Sequence, residues 1–212
     1  MHKLVLQGII ESNCYIIDHH KKCYIVDPGS EKDKIIQYVE SQGLEVLGIL
    51  LTHAHLDHIG AIDCFDVPIY LHEKAYPILC DDALNCFSLF GTAAPFDIKD
   101  LNIVTINEDT TLPLGDKIIH VIYTPGHTIG GVCYQVDNDL YTGDTLFQYS
   151  VGKWTFPTGD LAQLKASVAD LIEHQDGAMR IHPGHGDSST IAAERQYNSF
   201  YATWKNGDQF YD

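Results

Sequence analysis

The sequence predicts a mixed α/β fold in which two β-sheets pack face to face with helices outside them. The main observation is a repeated order within the 212 residues: strands, a helix, a further strand and a histidine-bearing loop follow one another twice. A second observation is the apolar spacing over 160–174, which is typical of an amphipathic helix. We expect 1–212 to form a single domain, since a chain of this length fits one.

The first half is predicted to alternate short strands with helices. Its strand segments are rich in Val, Ile, Leu and Tyr, which favour a half-buried pleated surface. Strands are predicted at 3–10, 14–18, 22–27, 46–51 and 67–71, and helices at 31–42, 57–65 and 73–90. Residues 91–108 carry loop signals, including Gly91 and Pro95, and we expect them to form a flap over the binding site.

The second half repeats this pattern with more strands before its helix. Strands are predicted at 111–114, 117–123, 132–136, 139–142 and 179–182, and helices at 160–174 and 189–199. Asp160 is the expected N-cap of the first of these helices. An aromatic tail closes the chain, and we expect it to pack onto the body; it comprises Phe200, Tyr201, Trp204, Phe210 and Tyr211.

Charge and composition exclude several partners. The formal net charge is −16 with neutral histidines, whereas binding to a nucleic-acid backbone or an anionic membrane needs a basic face. Residues 1–11 show no signal peptide, and no stretch approaches the roughly 18 apolar residues of a membrane span. We therefore expect a cytoplasmic protein whose six cysteines are reduced and mostly buried.

Potential metal ligands are concentrated in one short stretch. His53, His55, Asp57 and His58 lie within six residues, directly after the apolar run 47–51. Imidazole and carboxylate groups bind zinc and iron, and the end of a buried strand holds side chains more firmly than a free loop does. The sequence therefore predicts a metal site at the end of this strand.

These residues carry a family resemblance. The pattern His53-x-His55-x-Asp57-His58 resembles the signature of the metallo-β-lactamase-fold hydrolases, and the resemblance runs from the first strands to about Gly186. It implies a four-layer αββα sandwich of two mixed β-sheets flanked by helices. Asp144 stands where many true β-lactamases have Cys, so the chain looks like the compact glyoxalase II-like, or hydroxyacylglutathione hydrolase-like, branch.

The resemblance also implies a binuclear site with seven protein ligands. Those of the first metal match His53, His55 and His127. Those of the second metal match Asp57, His58 and His185. Asp144, in Gly-Asp-Thr, matches the carboxylate that bridges both metals. Asp27 matches an outer carboxylate that orients the metal loop by hydrogen bonds.

The chemistry expected from such a site is hydrolysis by a metal-bridging hydroxide. Two divalent ions are implied, with zinc expected first and iron or manganese also compatible with the His/Asp set. Asp57 and Asp144 are the expected catalytic residues, Asp57 by holding the hydroxide or moving its proton. Lys153 replaces the Arg of the family's Gly-Arg-x-Asp motif and is a candidate for binding a substrate carboxylate.

The leading hypothesis is a thioesterase of the hydroxyacylglutathione hydrolase type, acting on a small acyl thioester. Only 27 residues follow His185, so we expect the helical region that helps hold glutathione in full-length glyoxalase II enzymes to be missing or reduced. The alternative is a mononuclear iron persulfide dioxygenase-like enzyme of the same fold. Its facial ligands would be His53, His127 and Asp144.

Overall fold

The computed structural model describes residues 1–206 and has two six-stranded sheets. The strands of the first sheet lie side by side in chain order. They are β1 (His2–Leu6), β2 (Ser12–His19), β3 (Lys22–Val26), β4 (Glu45–Leu50), β5 (Ile69–His72) and β6 (Ile103–Ile106). The first two pairings, β1 with β2 and β2 with β3, are antiparallel, and those from β3 to β6 are parallel. The sheet is therefore mixed.

The second sheet is also mixed and has one parallel pairing. Its strands are β7 (Thr111–Leu114), β8 (Lys117–Tyr123), β9 (Val132–Val136), β10 (Asp139–Gly143), β13 (Arg180–Pro183) and β14 (Ser189–Thr190), in the spatial order β14-β13-β10-β9-β8-β7. The parallel pair is β10 with β13. A separate ribbon pairs β11 (Leu146–Phe147) with β12 (Ser150–Val151).

Helices cover the outer faces of both sheets. They are α1 (Lys32–Gln42), α2 (Leu56–Ile59), α3 (Tyr76–Leu79), α4 (Leu161–His174), α5 (Ile191–Tyr197) and α6 (Ser199–Lys205). The alternation of side chains along a strand sends Cys14 and Ile16 of β2 to the outer apolar cluster and Tyr15 and Ile17 to the cluster between the sheets. A third cluster joins the second sheet to α4. The αββα prediction is confirmed.

The predicted N-cap Asp160 is confirmed: its side chain accepts a hydrogen bond from the Gln163 N–H at the start of α4. Gly43 ends α1 in the left-handed conformation with φ 58°. Glycine adopts this conformation without the backbone strain that a side chain brings. Tyr201 is buried in the third cluster, and Phe200 and Trp204 pack against it. The predicted contacts of Phe210 and Tyr211 lie outside the described residues.

Four predicted segments differ from the structure. Of the helix expected over 73–90, only Tyr76–Leu79 is α-helical. The helix expected over 57–65 is only the four-residue α2, because the Ala61 N–H donates to the Pro28 carbonyl oxygen and the Asp57 carbonyl oxygen accepts from the Ser12 hydroxyl instead. The loop expected over 91–108 contains the edge strand β6. The helix expected over 189–199 divides at Asn198, whose side chain caps α6 by accepting from the Tyr201 N–H. Over residues 1–206, no helix has the length and apolar character needed to cross a membrane.

Candidate metal centre

The seven predicted ligands converge at one edge of the sandwich, where strands of both sheets end. They follow β4, β8, β10 or β13 in the chain: Asp57 and His58 lie in α2, and the others lie on short loops. The side chains form two groups and one carboxylate between them: His53, His55 and His127; Asp57, His58 and His185; and Asp144. Short loops anchored on rigid strands fix such an arrangement to within a fraction of an ångström.

The first group consists of three buried imidazoles. One ligand nitrogen each from His53, His55 and His127 lies within 4.8 Å of the others. The Nδ1 of His55 and the Nε2 of His127 are 2.8 Å apart. Three convergent imidazole nitrogens are a common ligand set for zinc and also suit iron.

The second group combines one carboxylate with two imidazoles. The Nε2 of His185 lies 3.1 Å from Asp57 Oδ2, and the Nε2 of His58 lies 3.4 Å from the same oxygen. Asp144 connects the groups: its Oδ1 is 3.4 Å from His58 Nε2, and its Oδ2 is 3.6 Å from His127 Nε2. One carboxylate therefore reaches both groups, as a bridging ligand must.

Several ligand atoms are buried without a hydrogen-bond partner, although buried polar atoms are nearly always paired. They are the Nε2 atoms of His53, His55 and His58 and the Oδ1 of Asp144. An unpaired buried lone pair is costly unless a cation binds it. The donor set therefore fits divalent metals.

The pKa values of the histidines and the nearby carboxylates also favour bound cations. Burial lowers the pKa of His53 and brings the pKa of His55 to about 3, so both rings are neutral and offer lone pairs. Burial alone would lower the pKa of His185, but Asp144 and then Asp57 raise it to about 10. The carboxylates thus draw positive charge to the site, which is the charge that bound cations supply.

Asp27 holds the first metal loop by three hydrogen bonds. Its Oδ1 accepts from the Thr52 N–H at 2.8 Å, and its Oδ2 accepts from the Thr52 hydroxyl at 2.6 Å. The same Oδ2 lies 2.9 Å from His58 Nδ1. An acceptor on Nδ1 keeps the proton there and leaves Nε2 free to bind metal. Asp27 thus occupies the orienting position that the resemblance implies.

Two orienting contacts were not foreseen from the sequence. The Nδ1 of His127 lies 2.6 Å from the Lys153 carbonyl oxygen, and the Nδ1 of His185 lies 2.6 Å from the Glu11 carbonyl oxygen. Backbone carbonyls are common partners of ligand histidines. No sequence signal could reveal them, because every residue type carries the same carbonyl.

The structure explains why a glycine precedes each of the two later histidines. A Cβ at Gly184 would lie 2.3 Å from Asp144 Oδ1 and 2.6 Å from His58 Cε1. Gly126 has φ 137°, and a Cβ there would lie 2.2 Å from the Leu164 backbone nitrogen. Both Pro-Gly-His turns therefore need glycine for close packing.

A small cavity of about 100 Å³ opens onto the ligands. Its other walls are apolar side chains and one thiol: Ile10, Leu56, Cys86, Phe90 and Phe156. Phe90 comes from the segment next to the predicted flap. Lys153 is exposed beside this cavity, with its ammonium nitrogen 4.9 Å from the centre of the Phe156 ring.

The comparison with protein families agrees with this geometry. The model of the metallo-beta-lactamase superfamily matches residues 8–185, which include all seven residues of the site. The chain belongs to the metallo-beta-lactamase superfamily. Within it, the chain is 36% identical over 203 residues to the probable metallo-hydrolase YqgX of Bacillus subtilis (strain 168), covering 91% of this chain and 93% of that protein.

Solved structures of the superfamily are similar over nearly the whole chain. The BLEG-1 B3 metallo-beta-lactamase has a TM-score of 0.82 and 35% identity, covering 94% of this chain and 98% of its own. TTHA1623 in a di-iron-bound form has a TM-score of 0.83 and 32% identity, covering 94% of this chain and 100% of its own. These similarities support metal-dependent chemistry at this site.

Proposed function

We propose that this protein is a binuclear metal-dependent hydrolase of small acyl thioesters, in the glyoxalase II-like branch of the superfamily. The observation that carries the proposal is the position of Asp144, whose two oxygens lie within 3.6 Å of imidazoles from both ligand groups. A carboxylate in this position would be shared by two cations. A site with one metal would not need it to reach both groups.

The two groups would hold one metal each, and zinc is the first candidate. Iron follows from the di-iron-bound form of TTHA1623, and manganese also suits nitrogen and carboxylate ligands. Paired divalent ions lower the pKa of bound water towards ~7 and polarise a carbonyl. This supplies a nucleophile at neutral pH, so the chain needs no serine or cysteine nucleophile.

The protein groups around the metals would orient the reactants. Asp57 lies on the cavity wall, and although burial opposes its ionisation, His58 and His185 hold the pKa of its carboxyl below the ordinary value. An ionised carboxylate there can accept a hydrogen bond from the attacking water. The apolar side chains of Phe90 and Phe156 would exclude bulk water from the carbonyl carbon of the thioester.

Lys153 is proposed to contact a carboxylate on the substrate. Its ammonium group is exposed over Phe156, at the edge of the cavity. A single ammonium is a point charge without the bidentate geometry of arginine. We therefore assign it a contribution to substrate binding and none to the chemical step.

A second candidate reaction is opening of a β-lactam ring. It is favoured by the 35% identity to the BLEG-1 B3 metallo-beta-lactamase. The same nucleophile would attack an amide carbonyl, so the ligand set is compatible with both reactions.

The test compares four substrates on protein of known metal content: S-lactoylglutathione, the glutathione-free thioester S-butanoyl-N-acetylcysteamine, nitrocefin, and glutathione persulfide with an oxygen electrode. We expect turnover of at least one of the two thioesters. This turnover should be lost in Asp144→Ala and kept in Asp187→Ala, which lies on an exposed part of the same edge. Nitrocefin turnover alone would favour the lactamase. Oxygen uptake with one iron per chain would favour the dioxygenase and refute the hydrolase.

A further inference from the structure

A larger cavity of about 490 Å³ adjoins the metal cavity. Three residues, Ile10, Leu56 and Asp57, line both spaces. Because Asp57 belongs to the second ligand group, the larger cavity begins at the place where chemistry is proposed. Its volume is within the range of small-molecule sites, about 300–1,000 Å³.

The walls of this cavity come from four separate segments and are mostly apolar. The loop between β1 and β2 supplies Ile9 and Ile10, and the start of α2 supplies Leu56. Phe87 is buried at one side, and Ala93 lies at the exposed rim. Four segments that converge on one apolar space beside the metal ligands form a site for an organic group.

Lys32, Asp63 and Glu31, which line the cavity, already have charged or hydrogen-bonding partners. Lys32 Nζ lies 2.8 Å from Asp63 Oδ2. Glu31 Oε2 accepts from the Gln7 N–H at 2.6 Å and pairs with Lys34 at 3.0 Å. Within residues 1–206, the cavity has no arginine in its walls and Lys32 as its one cation. An anionic group would meet Glu31 and Asp63 without a free cation to balance it.

We infer that this cavity binds an uncharged, apolar arm of the substrate, such as an alkyl chain or an unsubstituted aromatic ring attached to the scissile bond. The inference rests on the proposed function, since it places the reacting bond at the adjoining metal centre. It specifies a substrate class in which one side of the bond is apolar. A charged tripeptide arm does not fit this cavity.

Binding of non-hydrolysable analogues tests the inference without depending on turnover. S-alkyl-N-acetylcysteamine thioethers with ethyl, butyl, hexyl and octyl chains would be titrated into metal-loaded protein by calorimetry. Burial of each methylene is expected to tighten Kd roughly threefold, so hexyl should bind about a hundredfold more tightly than ethyl. A carboxylate at the end of the hexyl chain should remove most of this gain.

Two variants test whether the dependence on chain length comes from this cavity or from nonspecific apolar binding. Ile9→Glu puts a carboxylate in the cavity wall. Its control Ile118→Glu makes the same change on β8 at a site of similar exposure: Ile118 is 52% exposed and Ile9 is 54% exposed. Ala93→Trp narrows the rim without touching the core. Ile9→Glu and Ala93→Trp should flatten the dependence on chain length, and Ile118→Glu should retain it.

The outcomes are distinct for the two proposals. A flat Kd series in the wild type, or an equal dependence in Ile9→Glu and Ile118→Glu, would overturn the inference whether or not the protein hydrolyses thioesters. A steep series with no hydrolysis of the matching acyl thioesters would support the cavity assignment and refute the thioesterase.

Discussion

Replacing Asp27 by Asn is the sharpest test of how the metal loop is oriented. The change keeps the size of the side chain, and Asn tolerates the left-handed backbone that Asp27 adopts at φ 51°. The charge and the hydrogen-bonding pattern change: two acceptor oxygens of a carboxylate become one acceptor and one NH₂ donor of a neutral amide. The folded backbone should therefore persist while the contacts to Thr52 and His58 change.

The expected losses of stability and of metal affinity follow from the three hydrogen bonds of Asp27. If the amide oxygen faces the Thr52 N–H, the NH₂ group meets His58 Nδ1 and favours a proton on His58 Nε2, the metal-binding atom. If the amide is reversed, the NH₂ group opposes the Thr52 N–H. Either orientation loses a buried charge-assisted hydrogen bond, about 1.5–3 kcal/mol. Loss of such an outer partner lowers metal affinity about 10–100-fold.

The assay is zinc titration against a chromophoric chelator, with a thermal melt of the metal-free protein. We expect the second metal to be weakened in Asp27→Asn, because His58 belongs to the second group. Asp33→Asn, on an exposed position of α1, is the charge-matched control and should bind as the wild type does. Equal affinities for both metals in Asp27→Asn and wild type would refute the reasoning.

Three further predictions follow from contacts around the site. Gly184→Ala should bind less metal, as measured by elemental analysis, because its Cβ would lie 2.3 Å from Asp144 Oδ1. The control Gly177→Ala, whose Cβ would make only a 3.4 Å contact, should keep the wild-type metal content. Equal metal content in the two variants would contradict the geometry. Lys153→Met should raise KM for a carboxylated thioester several-fold at constant kcat. The control Lys165→Met on α4 should keep the wild-type KM. An unchanged KM in Lys153→Met would refute the assignment. Ellman's reagent should react quickly with one thiol of the native protein, that of the exposed Cys80, because the other five cysteines are buried. Burial also raises the pKa of a thiol, in the case of Cys133 to about 12. Rapid reaction of several thiols would contradict this prediction.

The family resemblance named seven candidate ligands, and the structure brings their side chains together because strand ends from both sheets meet at one edge. Their binding of metal stays a prediction. The Pro-Gly-His turns at 125–127 and 183–185 need their glycines, Gly126 and Gly184, because a Cβ at either position would be too close to neighbouring atoms.

Other features depend on contacts between distant segments and were missed. The strand β6 was expected to be loop, because its place in the sheet depends on pairing with β5. The helix after Asp57 was expected to be longer, but the Ala61 N–H donates to the Pro28 carbonyl oxygen of a distant segment and so leaves the helical pattern. The carbonyl partners of His127 and His185 have no residue signature, so only the folded chain reveals them.

The central claim is that two metals share the carboxylate of Asp144, and counting metals per chain tests it most directly. The protein would be purified without added metal and its metal content measured by elemental analysis, beside the Asp144→Ala variant. The account predicts two metal ions per wild-type chain and a clear loss in the variant. One metal per chain in the wild type, unchanged in Asp144→Ala, would contradict it.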